Sequence, residues 1–281
     1  MRRTLFLGLL VVAAAAVLGA QAPKPRAAAP RGPAPCPAFS IVESTIPEMQ
    51  AALAEGRVTA RELVTQSLLR IATYEETLNA VMTVNPRALE EADARDRERR
   101  EGKVRGPLHG IPIALKDNIH TTDMRTTGGA LAFERLVPPY DATLTRHLRE
   151  AGAIIVAKTV MTELANWIAG SPMSMPGNYS AVGGYGLNPY DPRRDPREAT
   201  SDGRPALGTG GSSSGIGTAA SFWAANVGTE TSGSILSPAN QNMLAAVKPT
   251  VGRISRYGII PITADQDTAG PMARTVTDAA I

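Results

Sequence analysis

Two short apolar runs, residues 111–115 (IPIAL) and 153–157 (AIIVA), each end on a lysine, Lys116 and Lys158. A strand that is apolar throughout, with no polar alternation, has to be covered on both faces. Between the runs, Asp141 and Thr143 open a helix that reaches Ala151, with Gly152 as its stop. Strands alternating with helices in this way predict an α/β domain, a β-sheet covered by helices on both faces. A lysine carried into such a sheet loses hydration of its ammonium, so it can shed its proton near neutral pH and serve as a base. It can equally pair with a carboxylate or snorkel to the strand end. The chain has five lysines, at 24, 103, 116, 158 and 248, and spacing does not choose between Lys116 and Lys158.

Upstream, Thr45 with Glu48 and Thr59 with Glu62 read as two capping boxes, each opening a helix. In the second helix Leu63, Val64, Leu68 and Ile71 share one side at helical spacing. Residues 80–84 form a short β-rich run. Asn85 and Pro86 start another helix, whose charged stretch 90–100 reads as its exposed continuation.

The N-terminus reads as an export signal: Arg2 and Arg3, an apolar run over 5–18, and an Ala20-Gln21-Ala22 cleavage site. Residues 1–22 are therefore expected to be a signal peptide, 23–38 a proline- and alanine-rich tether, and 39–281 the folded part, exported to a periplasm or secreted. The apolar run is too short to cross a bilayer, so no membrane span is expected after cleavage. Cys36 is the only cysteine, which excludes a disulfide framework. The formal charge is +3, but Arg2, Arg3, Lys24, Arg26 and Arg31 all precede residue 39. Arg193, Arg194, Arg197 and Arg204 alternate with Asp191, Asp195, Glu198 and Asp202, a solvated mixed-charge loop and no nucleic-acid track.

The stretch 208–235, GTGGSSSGIGTAASFWAANVGTETSGSI, concentrates glycines and hydroxyls inside foldable sequence. Glycine lets backbone approach a ligand closely, and successive N–H groups of a tight turn can converge on one oxygen. Residues 219–225 read as a small-residue helix carrying Phe222 and Trp223. Residues 211–215 match the G-x-S-x-G elbow, yet no histidine follows His147, as that arrangement requires. His109, His120 and His147 read as loop or surface residues. There is no P-loop, no S-x-x-K and no H-x-x-x-H, so neither a metal nor a cofactor is expected.

The segments GPLHGIPIALKDNI, GAIIVAKTVMTELA, GTGGSSSG, GTETSGSILSPA, VKPTVGRISRYGIIP and QDTAGPMAR, in this order, resemble the amidase signature family of serine hydrolases from about Thr45 to the last residue. The resemblance implies that family's mixed sheet and a Ser-Ser-Lys triad: Lys116 as base, Ser212 as the bridging hydroxyl with Ser213 as its alternative, and Ser234 as nucleophile. Lys158 becomes structural, and Thr231, Ser232 and Gly233 become the oxyanion and substrate-binding turn. The implied activity is hydrolysis of a small-molecule or peptide amide, through an acyl-enzyme, to acid plus ammonia or amine. Two departures bear on the site. Ser232-Gly233 stands where many members have two glycines, and Ser212 and Ser234 lie two residues closer than in the family. The chain also ends at Ile281, well short of family length, so the C-terminal part of the fold is expected to be missing. An uncompleted sheet would expose apolar surface and favour self-association. The rival readings are a glutaminase-like subunit of a transfer-RNA amidotransferase and a non-catalytic truncated remnant.

Overall fold

The chain enters the fold through two capped helices. In the computed structural model the described residues are 39–166, 178–198, 202–210 and 215–281, all within the unit Ala38–Ile281. The expected signal peptide and tether, and both Ser212 and Ser213, lie outside them. Helix α1 is Ile46–Ala54 and α2 is Ala60–Leu78. At α1, Thr45 Oγ1 accepts the Glu48 N–H at 3.3 Å, while Glu48 Oε2 accepts the Thr45 N–H at 2.8 Å. Thr59 and Glu62 repeat the exchange at α2. Each box satisfies two helix-end donors that would otherwise need water.

Strand β1 (Val81–Val84) leads to helix α3 (Ala88–Arg100). This helix begins later than its sequence signal, because Asn85 Oδ1 accepts the Arg87 N–H at 2.8 Å and the chain turns before it coils. Its charged stretch is mostly half-buried instead of exposed. Asp96 accepts the N–H groups of Ala60 and Arg61 at 2.7 and 3.0 Å, so α3 lies against the start of α2 and helps cap it.

Strand β2 (Pro112–Lys116), helix α4 (Thr143–Glu150) and strand β3 (Ile154–Thr159) follow the sequence pattern, with Gly152 at φ +88°. A small hairpin, β4 (Tyr179–Ser180) and β5 (Gly184–Tyr185), is set apart as its own two-stranded sheet. Next come α5 (Ile216–Ala219), β6 (Ala225–Glu230), α6 (Leu236–Gln241), β7 (Ala245–Ala246), β8 (Thr268–Ala273) and α7 (Val276–Ala280).

The helix expected over 219–225 does not form. Helix α5 is a single turn that stops at Ala219, Ser221 follows at φ +55°, and Phe222 and Trp223 sit in the bend beyond it, both fully buried. The indole folds back on α5 and donates from Nε1 to Thr218 Oγ1 at 2.8 Å, while Ala224 N–H bonds Pro112 O and draws the chain into β6. Burying a large aromatic side chain is worth about 1.5–3 kcal/mol. The helix preference of a few alanines amounts to tenths of a kcal/mol each, so tertiary packing decides.

The main sheet has the order β1-β3-β2-β6-β8-β7. Strand β2 is parallel to both β3 and β6, and the other pairs are antiparallel, which makes the sheet mixed. Successive side chains of β3 alternate between faces. Ile154 and Val156 join the core formed with α1 and α2, whereas Ile155 joins a second cluster with Leu115, Ile119, Met124 and Leu144. Beside β6 and β8 an apolar groove of about 880 Å³ opens between Ile113, Leu148, Val227, Ile254 and Pro271.

The seat of Trp223 yields a stability prediction. In an exposed helix Gly→Ala gains about 1 kcal/mol. A Cβ at Gly217, however, would lie inside the contact distance of the fully buried Trp223 ring. Overpacking of this kind costs about 1–3 kcal/mol, so Gly217→Ala should lower the thermal unfolding midpoint. An unchanged or raised midpoint would show that the indole can move aside.

Candidate active site

Parallel pairing of β2 with β6 places the end of one strand beside the end of the other. The register Leu115↔Val227 leaves Lys116 pointing along the last residues of β6. Its side chain is fully buried, and Nζ donates to Thr229 Oγ1 at 2.8 Å and to Thr229 O at 3.3 Å. Asn118 Nδ2 donates to the same Thr229 hydroxyl at 3.0 Å and to Ile260 O at 3.3 Å. Burial pulls the Lys116 pKa from 10.5 to about 7, against the opposing charges of Asp267 and Glu230. Near neutral pH a substantial fraction of this amine therefore carries a lone pair.

Ser234 lies in the turn between β6 and α6 and lines the same cavity, of about 420 Å³, as Lys116, Asn118, Thr229 and Thr231. The far wall is apolar, from Ile259 to Ile262, with Asp267 beneath it. Thr231 Oγ1 donates to Asp267 Oδ1, and Asp267 Oδ2 accepts the N–H groups of Ile262 at 2.7 Å and Thr263 at 3.0 Å. One carboxylate thus joins the serine-bearing turn to the cavity wall. Ser232 is exposed, and Gly233, at φ +92°, accepts the Ser237 N–H at 2.7 Å.

Ser212 and Ser213 lie outside the described residues, but the chain on either side of them is held against α6. Gly210, at φ +77°, donates its N–H to Gln241 Oε1 at 3.0 Å, and a Cβ there would collide with Pro238. A Cβ on Gly215 would meet Leu244 and the Pro238 carbonyl. Asn242 Nδ2 donates to Thr209 O at 2.9 Å. The helix that begins two residues after Ser234 therefore anchors both ends of the serine run.

Lys158 has a different environment. Its Nζ donates to Thr126 Oγ1 at 2.9 Å and Arg125 O at 3.2 Å, and lies 3.6 Å from Asp117 Oδ1. Burial lowers its pKa to about 8 and the neighbouring carboxylate opposes that fall. Asp117 Oδ2 accepts the Thr127 N–H at 3.0 Å and the Thr127 hydroxyl. Lys158 is absent from the described lining of the cavity, as are all three histidines. His109 corrects its sequence reading. It is fully buried, with Nε2 2.9 Å from Arg95 O, because Gly152 packs directly on its ring.

Sequence reasoning did not single out Glu230, Lys248 or Asp267. Glu230 had a local signal, an acid set between hydroxyls in an otherwise uncharged stretch. Asp267 had none, since its partner Thr231 is 36 residues away.

The buried pair predicts a stability effect. Lys158→Met removes the counter-charge of a buried carboxylate, a change that costs about 3–5 kcal/mol. Chemical denaturation should show that loss, and Lys158→Met combined with Asp117→Leu should recover much of it. A single variant as stable as the parent would mean that Asp117 is neutral in the fold.

The comparisons with known proteins agree with this architecture. A family model described as Amidase matches residues 62–281. A probable amidase of Arabidopsis thaliana is 42% identical, over 86% of this chain and 45% of that protein. A glutamyl-tRNA(Gln) amidotransferase subunit of Rhodopirellula baltica is 40% identical, over 83% of this chain and 43% of its own. Among solved structures, the native peptide amidase of Stenotrophomonas maltophilia superposes with a TM-score of 0.75 at 43% identity, covering 86% of this chain and 47% of that one. The chain thus spans less than half the length of these relatives.

Proposed function

The chain belongs to the amidase family, and from that membership and its buried lysine we propose that it carries the catalytic machinery of an amide hydrolase acting on linear amides. The observation that carries the proposal is Lys116, fully buried yet lining one cavity with Ser234. In this reading neutral Lys116 takes a proton from Ser212, with Ser213 as the alternative, and that serine takes one from Ser234. Ser234 Oγ then attacks the amide carbonyl. The C–N bond breaks as the proton returns through the bridging serine to the leaving nitrogen, and water hydrolyses the resulting ester to free acid. The oxyanion is assigned to the turn of Thr231, Ser232 and Gly233. With the Gly233 N–H directed at Glu230, Thr231 and Ser232 are its foremost donors.

The proposed substrates are small-molecule or peptide amides, in line with the peptide amidase at 43% identity. The apolar stretch Ile259 to Ile262 would face the acyl side. The amidotransferase reading draws on the 40% identity to the Rhodopirellula baltica protein, close to the 42% of the plant amidase. The proposed export through residues 1–22 would speak against it. N-terminal sequencing of the secreted product would test the export proposal.

Lys116→Met should lower hydrolysis of a peptide amide by orders of magnitude with an unchanged melting curve. In the parent protein the rate should fall about tenfold per pH unit below about 7, because the protonated amine cannot accept the serine proton. A parent rate that is flat from pH 5 to 8, or a fully active variant, would remove Lys116 from the mechanism.

A further inference from the structure

The turn that carries Ser234 is assembled around one buried carboxylate. Glu230, the last residue of β6, is 3% exposed. Its Oε2 accepts the Ile235 N–H at 2.7 Å and the Leu236 N–H at 2.9 Å, and the Gly233 N–H faces the same carboxylate. Its Oε1 lies 3.4 Å from Lys248 Nζ, which donates to Thr231 O at 2.9 Å. The chain therefore loops around its own first residue. Its donors are the two residues after Ser234, while Lys248 ties down the turn's near side.

Capping the short α6 would account for the bonds from Ile235 and Leu236 alone. It does not account for a lysine that bridges the carboxylate to Thr231. We propose that Glu230 is a positioning residue for Ser234, anchored by Lys248, which holds the serine-bearing turn against the cavity that contains Lys116. This rests on the reading of Ser234 as nucleophile.

The chemistry of the side chain makes the ionised form necessary. A carboxylate offers about four lone-pair sites, enough for both N–H groups and an ammonium. Glutamine has one acceptor oxygen and would turn an NH₂ toward either Lys248 or the turn. A displacement of about 1 Å at a reacting group can cost about 10²-fold in rate. A second consequence separates positioning from plain structural support. The charged groups around Lys116 are Glu230 on β6, with Asp267 and Arg256 on the cavity wall, while Asp117 and Lys158 pair with each other. Glu230 favours the protonated lysine. Its neutralisation should therefore shift the acid limb of the rate profile to lower pH even as the maximal rate falls.

The test uses the full chain, a fluorophosphonate probe with mapping of the labelled peptide, and steady-state hydrolysis of a peptide C-terminal amide. Glu230→Gln should slow labelling at Ser234 and lower kcat by about 10²-fold, with KM changed far less and the acid limb displaced downward. Glu230→Asp should recover part of the rate. Lys248→Met, which leaves the carboxylate in place, should give a smaller loss in the same parameter, so the test survives if Glu230→Gln folds poorly. Folded Glu230→Gln labelled at the parent rate, or losses in all three variants that merely track the unfolded fraction, would overturn the proposal. Failure of the parent itself to label at Ser234 would instead overturn the nucleophile assignment, and this inference with it.

Discussion

The hydrogen bond from Lys116 Nζ to Thr229 Oγ1 ties the sheet to its chemistry. It exists because β2 and β6 run parallel and in register, so that both strands end at the same edge and Lys116 and Thr229 meet in one cavity. Ligand sites beyond the carboxyl ends of parallel strands are a general consequence of that geometry. Here it brings the Lys116 amine to the Thr229 hydroxyl, with Ser234 on the turn that follows. Burial then supplies the chemistry: an ammonium is costly where water cannot reach it, so the lysine is drawn toward its neutral form.

Three lysines show how local partners set the role of one residue type. Lys116 meets hydroxyl and carbonyl oxygens, and among the described residues no carboxylate pairs with it, so desolvation dominates. Lys158, equally buried and at the end of the next strand, faces Asp117 and closes a structural pair. Lys248, partly exposed, bridges Glu230 to a backbone carbonyl and braces a turn. Glu230 and Asp267 act from two sides on the segment that bears Ser234, one through backbone N–H groups and one through Thr231. Their charges also keep the Lys116 pKa from falling further than burial alone would take it.

Much of this was legible in the sequence where the signal is local. Capping boxes, continuous apolar strands and the glycine stop at Gly152 depend on neighbours within a few residues, and each appears where its spacing places it. The hydroxyl cluster around Thr229 and Ser234 also pointed to the cavity. What the pattern concealed depends on distant packing. Strand β6, with the sequence ANVGTE, has little intrinsic strand preference and forms because β2 and β8 flank it. Phe222 and Trp223 leave the expected helix because a glycine on α5 opens a seat for the indole. His109 is buried by the approach of Gly152, which no local pattern encodes. Spacing left the two strand-end lysines equivalent, and only distant packing gives Lys116 a hydroxyl partner and Lys158 a carboxylate.

The central claim is that Lys116 is a buried amine largely able to accept a proton near neutral pH. Carbon-detected NMR titration of lysine side chains, with the Lys116 resonance assigned by its loss in Lys116→Met, measures this directly. The account predicts a midpoint near the value of about 7 set by burial. A midpoint close to 10.5, the ordinary value for lysine, would contradict it and remove Lys116 as the proposed base.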